Sequence, residues 1–151
     1  MIEVRWGNPA RSRSTGWVKR VVKSTLAFEK QKNRSVSIFL TNDREIRKIN
    51  KRYLGHDRAT DVISFWLEPG QLTEKERDYL GDLAVSVETA KRVAKQRTIP
   101  YKEELARYLV HGTLHLLGYD DTRPRVKKIM HRRQEWILNR LCTDAERLSK
   151  A

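Results

Sequence analysis

Apolar residues along this chain fall into short alternating runs and longer helical stripes, separated by polar stretches. Residues 2–6 read as a short strand. After a turn-prone segment, the spacing of Trp17, Val18, Val21, Val22, Leu26 and Phe28 predicts a helix that Thr15 is placed to cap. Residues 35–40 alternate, with Val36, Ile38 and Leu40 on one face, as a strand should. Asn42, followed three residues later by Glu45, offers a capping arrangement to a helix with Ile46, Ile49 and Tyr53 on its inner face. Residues 61–66 and 80–85 read as two more strands, and the polar, turn-rich stretch 68–79 between them is expected to be a mobile loop.

A helix over 87–97, closed by Pro100, comes next in the pattern. It is followed by one from about Lys102 that places Leu105, Leu109, Val110, Leu114 and Leu117 at core spacing and stops at Gly118. The last helix begins near Pro124 and turns Val126, Ile129, Met130, Ile137 and Leu141 inward. About four strands interleaved with about five helices predict an α/β (α+β) layered fold around a small mixed sheet, since the crossovers are long enough for some parallel pairing. No repeat or linker-like tract divides the chain, so residues 1–151 are expected to form one domain, large enough to bury a core without staples.

Composition narrows the function. Hydrophobic residues are 38% of the chain and no apolar run exceeds three, far from the roughly 20 that a membrane span needs. Residues 1–13 lack the apolar core of a secretory signal, which leads us to expect a cytoplasmic protein with no membrane association. With Cys142 the single cysteine, any metal must be held by histidine and carboxylate. The net charge is +13 and the pI about 10.2. Basic and acidic side chains number 12 and 4 in residues 1–50, 9 and 8 in 51–100, and 11 and 7 in 101–151, so the excess lies toward the two ends. A polyanion such as nucleic acid is the natural partner, although a basic surface also serves solubility alone.

The chemistry concentrates in residues 111–121. His111 and His115, four apart on a helix, point the same way and can converge on one ion. Gly118 then breaks the helix, so that Asp120 or Asp121 can return a third donor. Two histidines and one carboxylate leave a position open for water, as in catalytic zinc sites. The competing reading is a pair of ordinary histidines followed by a glycine C-cap and an acidic N-cap. Gly112 stands where an H-E-x-x-H peptidase has its glutamate, which disfavours a peptidase. Downstream, Arg123, Arg125, Lys127, Lys128, Arg132 and Arg133 precede the next acid at Glu135. Of these, Arg123, Arg125, Lys128 and Arg132 are candidate RNA contacts, set against the plainer reading of a solvated helix face.

The segment from His111 to Asp120 resembles the signature H-G-x-L-H-L-x-G-Y-D-H of the YbeY family of bacterial endoribonucleases, and the sequence matches every fixed position except the last. The resemblance extends to Asn50, Tyr53, Gly55, the run 60–65, Leu80-Gly81-Asp82, Met130 and Ile137-Leu138. It implies a single-strand-specific, zinc-dependent endoribonuclease acting on rRNA, in maturation that includes 16S rRNA 3′ end processing and in ribosome quality control. The ribosomal subunit or its assembly proteins would be partners. One Zn2+ per chain is implied, with His111 and His115 as ligands and the family's third histidine falling on Asp121; Asp120 then supports or caps. A carboxylate at that position lowers the charge of the site by one unit and should weaken its Lewis acidity. The family's arginine after the matching tyrosine is Leu54 here, which leaves Arg52 and Arg58 as the nearest phosphate contacts and His56 as a candidate proton donor. Two other readings compete: a non-catalytic, metal-stabilised RNA-binding assembly factor, and a metal-dependent hydrolase of a small anionic substrate.

Overall fold

The structure is a computed structural model that describes residues 1–7, 15–66 and 72–143. These residues form four strands, β1 (Ile2–Trp6), β2 (Ser35–Thr41), β3 (Val62–Phe65) and β4 (Tyr79–Ser86), and five α-helices, α1 (Gly16–Phe28), α2 (Asp43–Leu54), α3 (Val87–Arg97), α4 (Tyr101–Leu116) and α5 (Pro124–Thr143), with α1 and α2 between strands and α3 to α5 following β4. The sheet order is β1-β2-β4-β3. β1 and β4 flank β2 in parallel, through the long crossovers expected, and β3 pairs antiparallel with β4 as an edge strand. This is the mixed-sheet α/β architecture that the hydrophobic pattern predicts.

Strand alternation divides the core between the two faces of the sheet. Val36, Ile38, Leu40, Leu83 and Val85 pack with Val18, Val21, Val22 and Leu26 of α1, and with Leu105, Leu109 and Leu114 of α4. Side chains as completely buried as these contribute about 1.5–3 kcal/mol each relative to exposure. On the opposite face Ile63 and Ala84 meet Ile46 of α2, with Ile49 and Phe65 at the margin. α4 is the central helix, touching α1, α3, α5, β3 and β4, so whatever it carries is held by the core.

Three local expectations need correction. Thr15 precedes α1 but makes no side-chain cap; its backbone is already in the right-handed helical region rather than the extended conformation that aims a capping oxygen. Ile129 is exposed, because the inner stripe of α5 runs through Met130, Gln134, Ile137, Leu138 and Leu141, and Ile129 lies about 100° away from Met130 around the helix. Tyr53 is also exposed, at the end of α2, with its ring edge-on to Phe65. By contrast Asn42 caps α2 as expected, accepting from the Glu45 N–H at 2.8 Å. Within the predicted loop 68–79, Glu74–Glu76 form a short 3-10 turn with a Thr73–Glu76 capping box, while 67–71 lie outside the described residues. No helix among the described residues is long and apolar enough to cross a membrane.

Candidate metal centre

α4 packs against β3 and β4 along the stretch that carries the two histidines. A Cβ on Gly112 would stand 2.8 Å from Leu83 Cδ2 and 3.0 Å from Val62 Cγ2, so glycine is what permits this approach. The Ser64 hydroxyl of β3 donates to the Gly112 carbonyl at 3.2 Å and fastens the helix at the residue next to His111. Gly118, at φ +103°, then reverses the chain, a conformation that side chains other than glycine's rarely allow. Tyr119 secures the turn through its N–H to the Leu114 carbonyl and its hydroxyl to Glu29, which also pairs with Arg133 of α5.

The two aspartates after this turn have different surroundings. Asp120 accepts from the Thr122 N–H at 2.9 Å and the Thr122 hydroxyl at 2.8 Å, and these two bonds hold its carboxyl below the usual range. It therefore shapes the loop. Asp121 turns back to the helix, with Oδ2 3.2 Å from His115 Nε2 and 3.7 Å from His111 Nε2. One donor atom from each of His111, His115 and Asp121 lies within 4.8 Å of the others. Donors around a tetrahedral zinc, at about 2.0–2.1 Å from the ion, are about 3.3 Å apart, so the set is close to ligating geometry.

Gln134 orients the first of these rings. Its side-chain oxygen lies 2.7 Å from His111 Nδ1, and its amide nitrogen donates to Glu135 Oε2 at 3.1 Å. The Glu135 contact turns the amide oxygen toward His111, so Nδ1 is the ring nitrogen suited to donate to Gln134, and Nε2 is the one left facing Asp121. Burial pushes the Glu135 carboxyl up, but hydrogen bonds from Arg107 and Gln134 outweigh it and hold the group below its usual range. Arg107 in turn donates to the buried Glu104 at 2.8 Å, and Arg97 does so at 2.9 Å, continuing the network to the end of α3. Neutral imidazole donors with a fixed tautomer and an oriented carboxylate are what a divalent ion such as zinc requires.

The three donors sit in an open groove of about 470 Å³, also lined by Asn50, Leu54, His56 and Arg58 and by 60–64 with Trp66. Of the residues singled out from the sequence, the groove brings together His111, His115, Asp121, Arg58 and His56, with Leu54 beside them. Arg52 is not among its lining residues; its guanidinium lies 5.4 Å from the Tyr53 ring centroid. Arg123, Arg125, Lys128 and Arg132 are exposed and do not line the groove. The latter three lie on the side of α5 turned away from Gln134. Asn50 donates to the Arg58 carbonyl at 3.0 Å, and Asp61 accepts from the Val62 N–H at 2.7 Å, so the walls are held by side chains to which spacing alone assigned no role. Spacing alone assigns no role to Gln134 either; its signal in the sequence is a polar residue between Met130 and Ile137 on a core stripe.

The family model described as Endoribonuclease YbeY matches residues 5–142 of this chain. A curated Endoribonuclease YbeY from Syntrophus aciditrophicus (strain SB) is 36% identical, over 78% of this chain and 75% of the relative. Another from Persephonella marina is 41% identical, over 75% and 73%, and one from Desulforamulus reducens is 39% identical, over 82% and 84%. The solution structure of TM1509 from Thermotoga maritima is similar in fold, with a TM-score of 0.67 at 22% identity, over 97% of this chain and 92% of that one. With His111, Gly112, His115, Gly118 and Asp120 in their expected setting and the match running through nearly all the described residues, the chain belongs to the Endoribonuclease YbeY family.

Proposed function

We propose that this protein is a zinc-dependent endoribonuclease that cuts single-stranded RNA, with one Zn2+ held by His111, His115 and Asp121, and that residues 1–151 form a single catalytic domain. The observation that carries this reading is the convergence of Asp121 Oδ2 on both Nε2 atoms within an open groove. A purely structural zinc takes four protein ligands, whereas this cluster offers three among the described residues and faces solvent. Zinc held there supplies Lewis-acid stabilisation of the charge that develops on a phosphodiester during cleavage.

The chain's own residues do the rest. Gln134 keeps the proton on Nδ1 of His111 and its Nε2 lone pair directed inward. Arg58, in the groove lining, serves as the cation for the RNA backbone, and His56, which lines the same groove, as the candidate proton donor. Gly112 and Ser64 hold the helix at the depth at which these groups meet. The exposed Arg123, Arg125, Lys128 and Arg132 extend the cationic footprint along α5. Ribosomal RNA in the cytoplasm, including the 3′ end of 16S rRNA, is the substrate in this reading, and the ribosomal subunit or its assembly proteins are partners.

Incubating the purified protein with end-labelled single-stranded and duplex RNA, before and after chelation, tests the proposal. Internal cuts in the single strand, lost on chelation and restored by zinc, are expected. A preparation equally active with and without chelator, or one cutting neither RNA, overturns it.

A further inference from the structure

Two large apolar side chains stand in the wall of this charged groove without burial to account for them. Leu54, at the end of α2, is 51% exposed, and Trp66, just past β3, is 60% exposed. The other three tryptophans are engaged differently. Trp6 is partly buried against the core, Trp17 is buried within it, and Trp136 is met edge-on by Phe28 and covered by Arg133 and Arg140. Among the described residues Trp66 has no ring, cation or hydrogen-bond partner.

Strand alternation explains its direction. Ile63 and Phe65 face α2, while Val62 and Ser64 face α4, where Val62 lies against Gly112 and Ser64 bonds its carbonyl. Trp66 continues the second series, and it lines the same groove as His111, His115 and Asp121. Among the described residues β3 is the edge strand of the sheet, so Trp66 stands at its margin.

We infer that Trp66, with Leu54 in the same groove, is a platform on which one unpaired nucleobase stacks beside the metal centre. The inference rests on the proposed ribonuclease reading and adds its specificity-determining residue. An indole face calls for a flat apolar partner, while Arg58 and the cationic character of the chain call for an anion. A nucleotide carries both. A base inside a duplex is covered by its neighbours, so only a single strand offers a face to Trp66. The groove, at about 470 Å³, falls within the range of clefts that hold small ligands.

Equilibrium binding tests this without relying on cleavage. Fluorescence anisotropy with labelled oligodeoxythymidylate of about 12 nucleotides, against an abasic deoxyribose-phosphate chain of the same length, separates base stacking from phosphate attraction. Trp66→Ala should weaken binding to the base-bearing strand about tenfold and leave the abasic chain unchanged, while Trp66→Phe keeps most of the affinity. On single-stranded RNA the alanine variant should raise KM with kcat little altered. Should wild-type protein bind the strand through Trp66 yet fail to cut RNA, the ribonuclease reading falls and the platform stands. Equal binding by Trp66→Ala and wild type overturns the platform and leaves Trp66 to a protein partner; equal weakening on both probes overturns it as well.

Discussion

Gln134 on α5 and His111 on α4 meet at 2.7 Å, through the one ring nitrogen of His111 that is not aimed at Asp121. The amide is buried and spends its nitrogen on Glu135, so it can only accept from the imidazole. Partners of this kind orient a ligand and raise its basicity. Gln134→Ala should therefore lower zinc affinity about 10- to 100-fold, read by competition with a chromogenic chelator. Gln134→Glu, which keeps the acceptor, should lose much less. Wild-type affinity in the alanine variant would remove Gln134 from the centre.

Asp43 ties the start of α2 to the start of α3, accepting from Ser86, Thr89 and Arg92. Burial raises its carboxyl, but the three hydrogen bonds and the Arg92 charge more than offset this and hold it below the ordinary value. A folded-state value below the unfolded one means that the ionised form favours the fold. That contribution is complete above the unfolded value, near about 3.9, and is lost as pH falls through the folded one. Urea midpoints should drop below about pH 4, and Asp43→Asn should flatten that part of the profile. An unchanged profile in the variant would rule out Asp43 as a source of acid sensitivity.

Much of this arrangement was legible from residue order. The alternation of Val36, Ile38 and Leu40 gives β2, the leucine stripe gives α4, and the His111–His115 spacing with Gly118 gives the convergence on one side of a helix. What spacing does not reveal is contact between elements distant in the chain. Gln134 reaches His111 from 23 residues away, and Ser64 reaches Gly112 from 48. The basic run after Asp121 shows the same boundary. It follows Asp121, a candidate metal donor, closely in sequence, but the rotation of α5 turns Arg125, Lys128 and Arg132 away from Gln134 and outside the groove. Ile129 failed as a core residue because one position on a helix is a rotation of about 100°.

That outward face carries a prediction of its own. Replacing Arg125, Lys128 and Arg132 together by Gln should weaken single-stranded RNA binding at low salt and reduce the slope of log K against log salt by up to about 2, at about 0.7 for each phosphate no longer neutralised. Folding should be little affected, since all three are exposed. A slope equal to that of wild type would show that RNA does not follow α5.

Asp121 completes the proposed centre at the position where the family signature has histidine, and the zinc-dependent reading stands or falls with it. Its Oδ2 faces both imidazoles, while both oxygens of Asp120 are committed to Thr122. The decisive measurement is zinc content by elemental analysis, after purification without chelators, for the wild type, Asp120→Ala, Asp121→Ala and Asp121→His. About one equivalent per chain is predicted for the wild type, Asp120→Ala and Asp121→His, and far less for Asp121→Ala, which leaves two protein ligands. A wild type without metal, or zinc kept by Asp121→Ala and lost by Asp120→Ala, would contradict the assignment.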